Sequence, residues 1–208
     1  MSPDPGTPRF VARPRAELEP DQQALYDLIA SGPRAAQRGS SPFLGPAGEL
    51  LGPFGLMTIA PAVGEAVQSV GAAIRYRTGL SDLVREAAIL LVAAAMDSGF
   101  EWIAHVRLAA QAGLDEEQLA ALRRFEIPEG LASADTLALR AVRAMLVDGG
   151  LSDALHRRAV TELGERAVAE LVWLVGYYSA LALALAVYTP HDRLTMLPAT
   201  TPGAQEGE

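Results

Sequence analysis

The sequence predicts an all-α protein, a bundle of about seven to eight helices, and three observations lead there. Apolar residues recur at spacings of three and four over long stretches. No stretch alternates apolar and polar residues with period two, as a half-buried strand would. Serine, aspartate, proline and glycine stand where such helices would begin and end. The chain has 208 residues, of which 50% are hydrophobic, enough for one domain with a substantial core.

Taken in order, Met1 to Pro14 holds four prolines, three charges and no apolar run. It reads as a disordered tail, and without the apolar core of a secretory signal a cytoplasmic address is expected. Residues 15–197 form the single domain. Its first helix spans Ala16 to Ala30, with Leu18, Leu25, Leu28 and Ile29 near one face. Residues 31–55 hold six glycines, four prolines and three serines, a density that forbids regular structure. Phe43, Leu44, Leu50, Leu51 and Phe54 interrupt it, so a long ordered loop packed over the body is expected. Pro61 opens a helix to Arg77, closed by Gly79. Ser81 caps the next, which runs through Ala87 to Met96. Another starts near Ser98 and ends before Gly113, and Asp115 with Gln118 forms a capping box for a short helix to Arg124. Helices at Ser133 to Leu146, Ser152 to Leu163 and Glu165 to Tyr188 complete the set, the last punctuated by Pro190. Residues 198–208 read as a second disordered tail. Leu171 to Pro190 carries no charge and is long enough to cross a bilayer. Its interspersed tyrosines, serine and threonine, and its lack of a basic flank, favour instead a helix buried on all sides in a globular bundle.

Composition removes whole classes of chemistry. Seventeen arginines against twenty-five acids give 17 − 25 = −8, a balance that argues against nucleic acid and anionic membranes as partners. There is no cysteine, lysine or asparagine in the chain. Thiol nucleophiles, disulfides and thiolate metal sites are thereby excluded, as is a Schiff base to a carbonyl or to pyridoxal phosphate. The glycine-rich segment lacks the lysine of a phosphate-binding loop, and no strand precedes a dinucleotide fingerprint. His105, His156 and His191 are 51 and 35 residues apart with no metal-ligand spacing, so no metal and no other cofactor is expected.

What remains concentrates in Glu86 to Gly113. Glu101 and His105 are four apart and share a helix face. A tight turn near Asp97 and Ser98 would fold Glu86 back towards His105. A carboxylate holding one ring nitrogen fixes the tautomer and raises the basicity of the other, as a general base requires. Plainer roles stay open. Glu101 fits a capping box with Ser98, His105 lies among Trp102, Val106 and Leu108 as a core residue would, and Glu86 could pair with an arginine. Arg75 and Arg77 are candidates for gripping a substrate carboxylate, or they complement a helix dipole. Tyr177 and Tyr178 could donate to an enolate oxygen or simply pack.

The run Arg85-Glu86, the apolar stretch, Glu101-Trp102-x-x-His105 and Gly113-Leu114 resemble the carboxymuconolactone decarboxylase family of the AhpD-like superfamily. The resemblance extends over Gly71 to Arg77 and Gly176-Tyr177-Tyr178, about residues 20 to 190. It implies an AhpD-like helical bundle that assembles as a homotrimer or a homohexamer, with the site near a subunit interface. It also implies Glu86, Glu101 and His105 as catalytic residues, and the residues expected around a small-molecule substrate are Ser98, Trp102, Arg75, Arg77, Tyr177 and Tyr178. The peroxidase branch carries two cysteines where Ser98 and Glu101 stand, so its disulfide chemistry is impossible here and the non-cysteine branch is the better relative. The family pattern has an asparagine near the end of the chain where Leu183-Ala184-Leu185-Ala186 stands, which counts against muconolactone itself. The expected activity is cofactor-independent decarboxylation or a related proton transfer on a carboxylated or carbonyl-bearing molecule. The alternatives are an isomerase, dehydratase or cyclase, and a non-catalytic ligand-binding oligomer.

Overall fold

The computed structural model describes residues 9–32 and 43–198. The expected tails at 1–8 and 199–208, and the part of the long loop at 33–42, lie outside the described residues. Among the described residues there are nine α-helices: α1 Pro20–Ser31, α2 Pro53–Met57, α3 Pro61–Arg77, α4 Asp82–Ala95, α5 Gly99–Gln111, α6 Glu116–Arg123, α7 Ser133–Asp148, α8 Asp153–Leu163 and α9 Glu165–Tyr188. The only strand-like pairing among them is two isolated bridges, Leu44 with Leu50 and Ser98 with Arg193.

The helix ends follow from local chemistry. Ser81, Ser98 and Ser152 accept from the amides of Val84, Glu101 and Leu155, and Asp115 with Gln118 completes a two-way capping box. Two starts differ from expectation. Helix α1 begins four residues late because Pro20 cannot lie inside a helix, and Arg15–Glu17 forms a separate 3-10 turn before it. Within the expected loop, Pro53 opens the five-residue α2. One end differs too: Thr78 is extended and its hydroxyl donates to the Ile74 carbonyl at 2.8 Å, so Gly79 does not close α3.

Helix α4 is apolar all round from Ala87 to Ala93 and is the buried axis of the bundle. Helices α5, α6, α7 and α9 pack around it. Its antiparallel partner α5 follows a tight turn in which Asp97 takes a left-handed conformation, φ 52°. That turn is strapped by the C-terminal segment: Asp97 accepts from Thr195 N at 2.8 Å, and Asp192 accepts from Phe100 N at 3.1 Å. Residues 43–52 curl over the body, with Phe43 and Leu50 in the core and Tyr26 donating to the Gly48 carbonyl at 2.6 Å. Gly52 turns at φ +56° directly against the Phe100 ring, where any Cβ would stand 2.2 Å from a ring carbon. Residues 9–14 lie against the far end of α9, where Arg9 donates to the Val187 carbonyl at 2.9 Å and Phe10 meets Tyr188 edge-on.

Helix α9 corrects the expectation of burial on all sides. Val168, Leu171, Leu174, Tyr178, Leu181 and Leu185 face inward. Val172, Trp173, Leu183 and Val187 face outward, with Trp173 69% exposed. By length and composition alone this helix could cross a membrane. Its apolar surface is divided instead between the core and an outer stripe.

Candidate acid–base site

Four helices converge on one buried imidazole. Helix α4 contributes Glu86, α5 contributes Glu101 and His105, α3 contributes Arg75, and α9 contributes Tyr177 and Tyr178. Because α4 and α5 run antiparallel from the turn at Asp97, Glu86 and His105 meet across the hairpin. Their exposures are 2% and 4%, so both are cut off from bulk water.

His105 Nδ1 lies 2.7 Å from Glu86 Oε2, a short hydrogen bond. Nε2 lies 3.7 Å from Glu101 Oε2, too far for a hydrogen bond but close enough for both to reach a shared proton. The other Glu86 oxygen accepts from Arg85 Nε at 3.2 Å, and Arg85 Nη2 donates to Asp82 at 2.8 Å. Tyr178 stands edge-on to the imidazole with centroids 5.3 Å apart, and Tyr177 stands edge-on to Tyr178 at 5.1 Å.

The electrostatics decide who holds the proton. Burial alone would raise the Glu86 carboxyl, but the hydrogen bond from His105 and the cations Arg75 and Arg85 hold it below its ordinary range. Burial lowers the His105 imidazole, with Arg75 and Arg85 adding to the effect, and Glu86 only partly restores it. The resting pair is therefore an ionised Glu86 accepting from Nδ1–H of a neutral His105, whose Nε2 presents a lone pair. Burial also pushes the Tyr178 phenol well up, so it remains a donor at any physiological pH. Arg75 stays charged: burial opposes this, but Tyr178 and Glu86 more than offset it.

The remaining sequence candidates separate. Arg75 keeps a buried Nε with no hydrogen-bond partner among the described residues, a donor left over for something outside them. Arg77, two residues on, is exposed at the end of α3 and is not brought to the imidazole. Ser98 is spent as the cap of α5, accepting from Glu101 N at 3.5 Å. Its own amide donates to the Ala93 carbonyl, so the Glu101 carboxylate does not close a capping box and turns to His105 instead. Trp102 packs in the core with the Arg123 guanidinium 5.7 Å from its ring centroid. Arg85 is the residue that sequence reasoning passed over as a functional one. The available signal was Asp82 three residues before it, which gives a helical arginine an anchor.

Among the described residues no group of three or more acids or histidines could hold a metal ion. Residues 61–144 match the carboxymuconolactone decarboxylase family, a span from the start of α3 into α7 that includes Arg75, Glu86, Glu101 and His105 but not the tyrosines of α9. Comparison with curated proteins gives no match.

Proposed function

From a chain that matches the carboxymuconolactone decarboxylase family over residues 61–144 and contains no cysteine, we propose a cofactor-independent enzyme that uses His/Glu acid–base chemistry on a small carboxylated or carbonyl-bearing substrate. The observation that carries this is the 2.7 Å bond between Glu86 and His105 Nδ1, which leaves Nε2 as a poised base beside Glu101 in a water-poor site. Thiol peroxidase chemistry of the AhpD kind has no thiol to run on.

In the decarboxylation reading, Arg75 grips the substrate through its spare Nε–H. The bond to the leaving carboxylate breaks, carbon dioxide departs, and the electron pair passes to a conjugated oxygen as an enolate. Tyr178 donates to that oxygen, and His105, which picks up one proton from solvent as the substrate enters, passes it to carbon, so one proton is consumed for each carbon dioxide released. The neutral resting state of His105 specifically favours a second reading, isomerisation. There Nε2 removes a proton from carbon beside a carbonyl and delivers it elsewhere on the same molecule, with no net proton consumed. The chain is taken to act in the cytoplasm as a homotrimer or homohexamer, and the outward apolar stripe of α9 supports assembly.

The test is a panel of unsaturated lactone acids and β-keto acids incubated in D2O with the protein and with His105→Gln. Carbon dioxide release with one deuteron gained at carbon, lost in the variant, supports decarboxylation. A shifted double bond without carbon dioxide supports isomerisation. Ligand binding with no reaction in either protein refutes the enzymatic reading.

A further inference from the structure

Arg85 lies beside the acid–base pair without touching the imidazole. Successive residues on a helix point about 100° apart, so position alone would not bring Arg85 against Glu86. The contact exists because Asp82, three residues earlier and on the same face as Arg85, draws the guanidinium back along α4. Exposure falls in order along the chain of contacts: 77% for the Asp82 side chain, 14% for Arg85 and 3% for Glu86. An exposed i,i+3 ion pair contributes little to stability. A donor on the second oxygen of a buried carboxylate matters much more, because that oxygen otherwise loses its hydration without replacement.

We propose that Arg85 is a positioning residue: anchored by Asp82, it holds Glu86 Oε1 so that Oε2 always faces His105, and it thereby fixes which imidazole nitrogen carries the proton. Without it, Glu86 is free to turn or to take up a proton, and in either case Nδ1–H loses its constant acceptor. The groups facing His105 are Glu86 from α4, Glu101 from its own helix and Tyr178 from α9, with the charges of Arg75 and Arg85 acting on it from α3 and α4. Of these only Arg85 acts through Glu86 by a direct bond to its far oxygen. The assignment rests on His105 as the proton carrier for its catalytic meaning, but its test needs no substrate.

Nitrogen-15 NMR of histidine-labelled full-length protein reads the tautomer, with the His105 signals identified by their loss in His105→Gln. The wild type is expected to show the Nδ1–H tautomer with a proton protected from exchange. In Arg85→Met that proton should exchange at least about tenfold faster, as loss of one charge-assisted hydrogen bond implies, and the Nε2–H tautomer should appear. Arg85→Lys, which keeps a cation but not the fork, should recover part of the protection. Arg124→Met, a remote loss of the same charge, should match the wild type. Unchanged exchange and tautomer in Arg85→Met, or equal values for the Met and Lys variants, overturns the proposal. Should Arg85→Met fail to fold, Arg85→Gln takes its place: faster exchange and a mixed tautomer support the clamp, and unchanged signals overturn it. A wild type with no turnover but the expected tautomer changes would sink the acid–base reading and leave the clamp standing.

Discussion

Two buried ionisable groups, Glu86 and His105, tie the protein's stability to its chemistry. The folded chain holds the imidazole below its ordinary value of 6.5 and Glu86 below its ordinary 4.5. For each, the unfolded chain binds protons that the folded chain refuses, so stability falls as pH falls. The loss begins below about 6.5, where the released imidazole starts to charge, and continues through the range below 4.5, until Glu86 protonates in the folded state as well. Thermal melts from about pH 8 to 4 should show this slope, and His105→Gln should flatten its upper part. A wild-type profile flat between about pH 6.5 and 5 would contradict the assigned protonation states. Glu86→Gln keeps the side chain's shape and one acceptor oxygen, but its NH2 must face either Nδ1–H or the Arg85 Nε–H, so a loss of about 1–3 kcal/mol in stability is expected. The substitution removes the charge that makes Nε2 basic, and turnover should drop by about 10² or more. Single-turnover rates of the wild type and the variant would measure it. Glu101, Glu86 and His105 were legible as a set from the i,i+4 spacing and the hairpin. That Glu86 could pair with an arginine was legible too, but which arginine was not, because adjacent residues on a helix do not ordinarily face each other.

Between α4 and α5 the chain depends on a close approach that can be broken by one methyl group. A Cβ on Gly99 would stand 2.6 Å from Asp192 Oδ1 and 3.2 Å from the Arg193 carbonyl carbon. Gly99→Ala by itself favours the helix, so any net loss of stability understates the clash with the strap. We expect a loss of about 1–3 kcal/mol, as overpacking gives, together with faster proteolysis within residues 190–198. An unchanged melting temperature would show that the strap yields freely. The caps at Ser81, Ser98 and Asp115 were readable because each is settled within four residues. Helix α2 was not, because its five residues answer to distant neighbours: Gly52 turns under Phe100, and Phe54 meets Phe43 edge-on at 6.1 Å. The same limit explains α1, whose spacing suited helix from Ala16 while Pro20 set its true start.

At the scale of the molecule, α9 carries the question that periodicity cannot answer. A segment apolar on every side gives no phase, so the sequence could not say which half enters the core. The structure buries one half against α4 and leaves outside a stripe in which Ala169, Gly176 and Ala180 alternate with Trp173, Leu183 and Val187. Gly176 has open space where a side chain would be, so another backbone can approach closely there. A helix of 24 residues is about 36 Å long, and its outer face lies close to Arg166 at one end and ends near Tyr188 without a charge between Leu171 and Pro190. Water on that face costs free energy that a second copy would recover. A stable interface needs about 800 Å² from each partner, so the proposed assembly would need more apolar surface than this stripe, and Val63 and Val70 on α3 also face outward. The homotrimer or homohexamer proposed from the family resemblance predicts sedimentation at three or six times 21.9 kDa. Trp173→Arg and Leu183→Arg should lower that mass while leaving helicity intact, because neither residue is part of the core. A wild type that sediments as a single copy would refute assembly, and a variant that keeps the full mass would move the interface off α9.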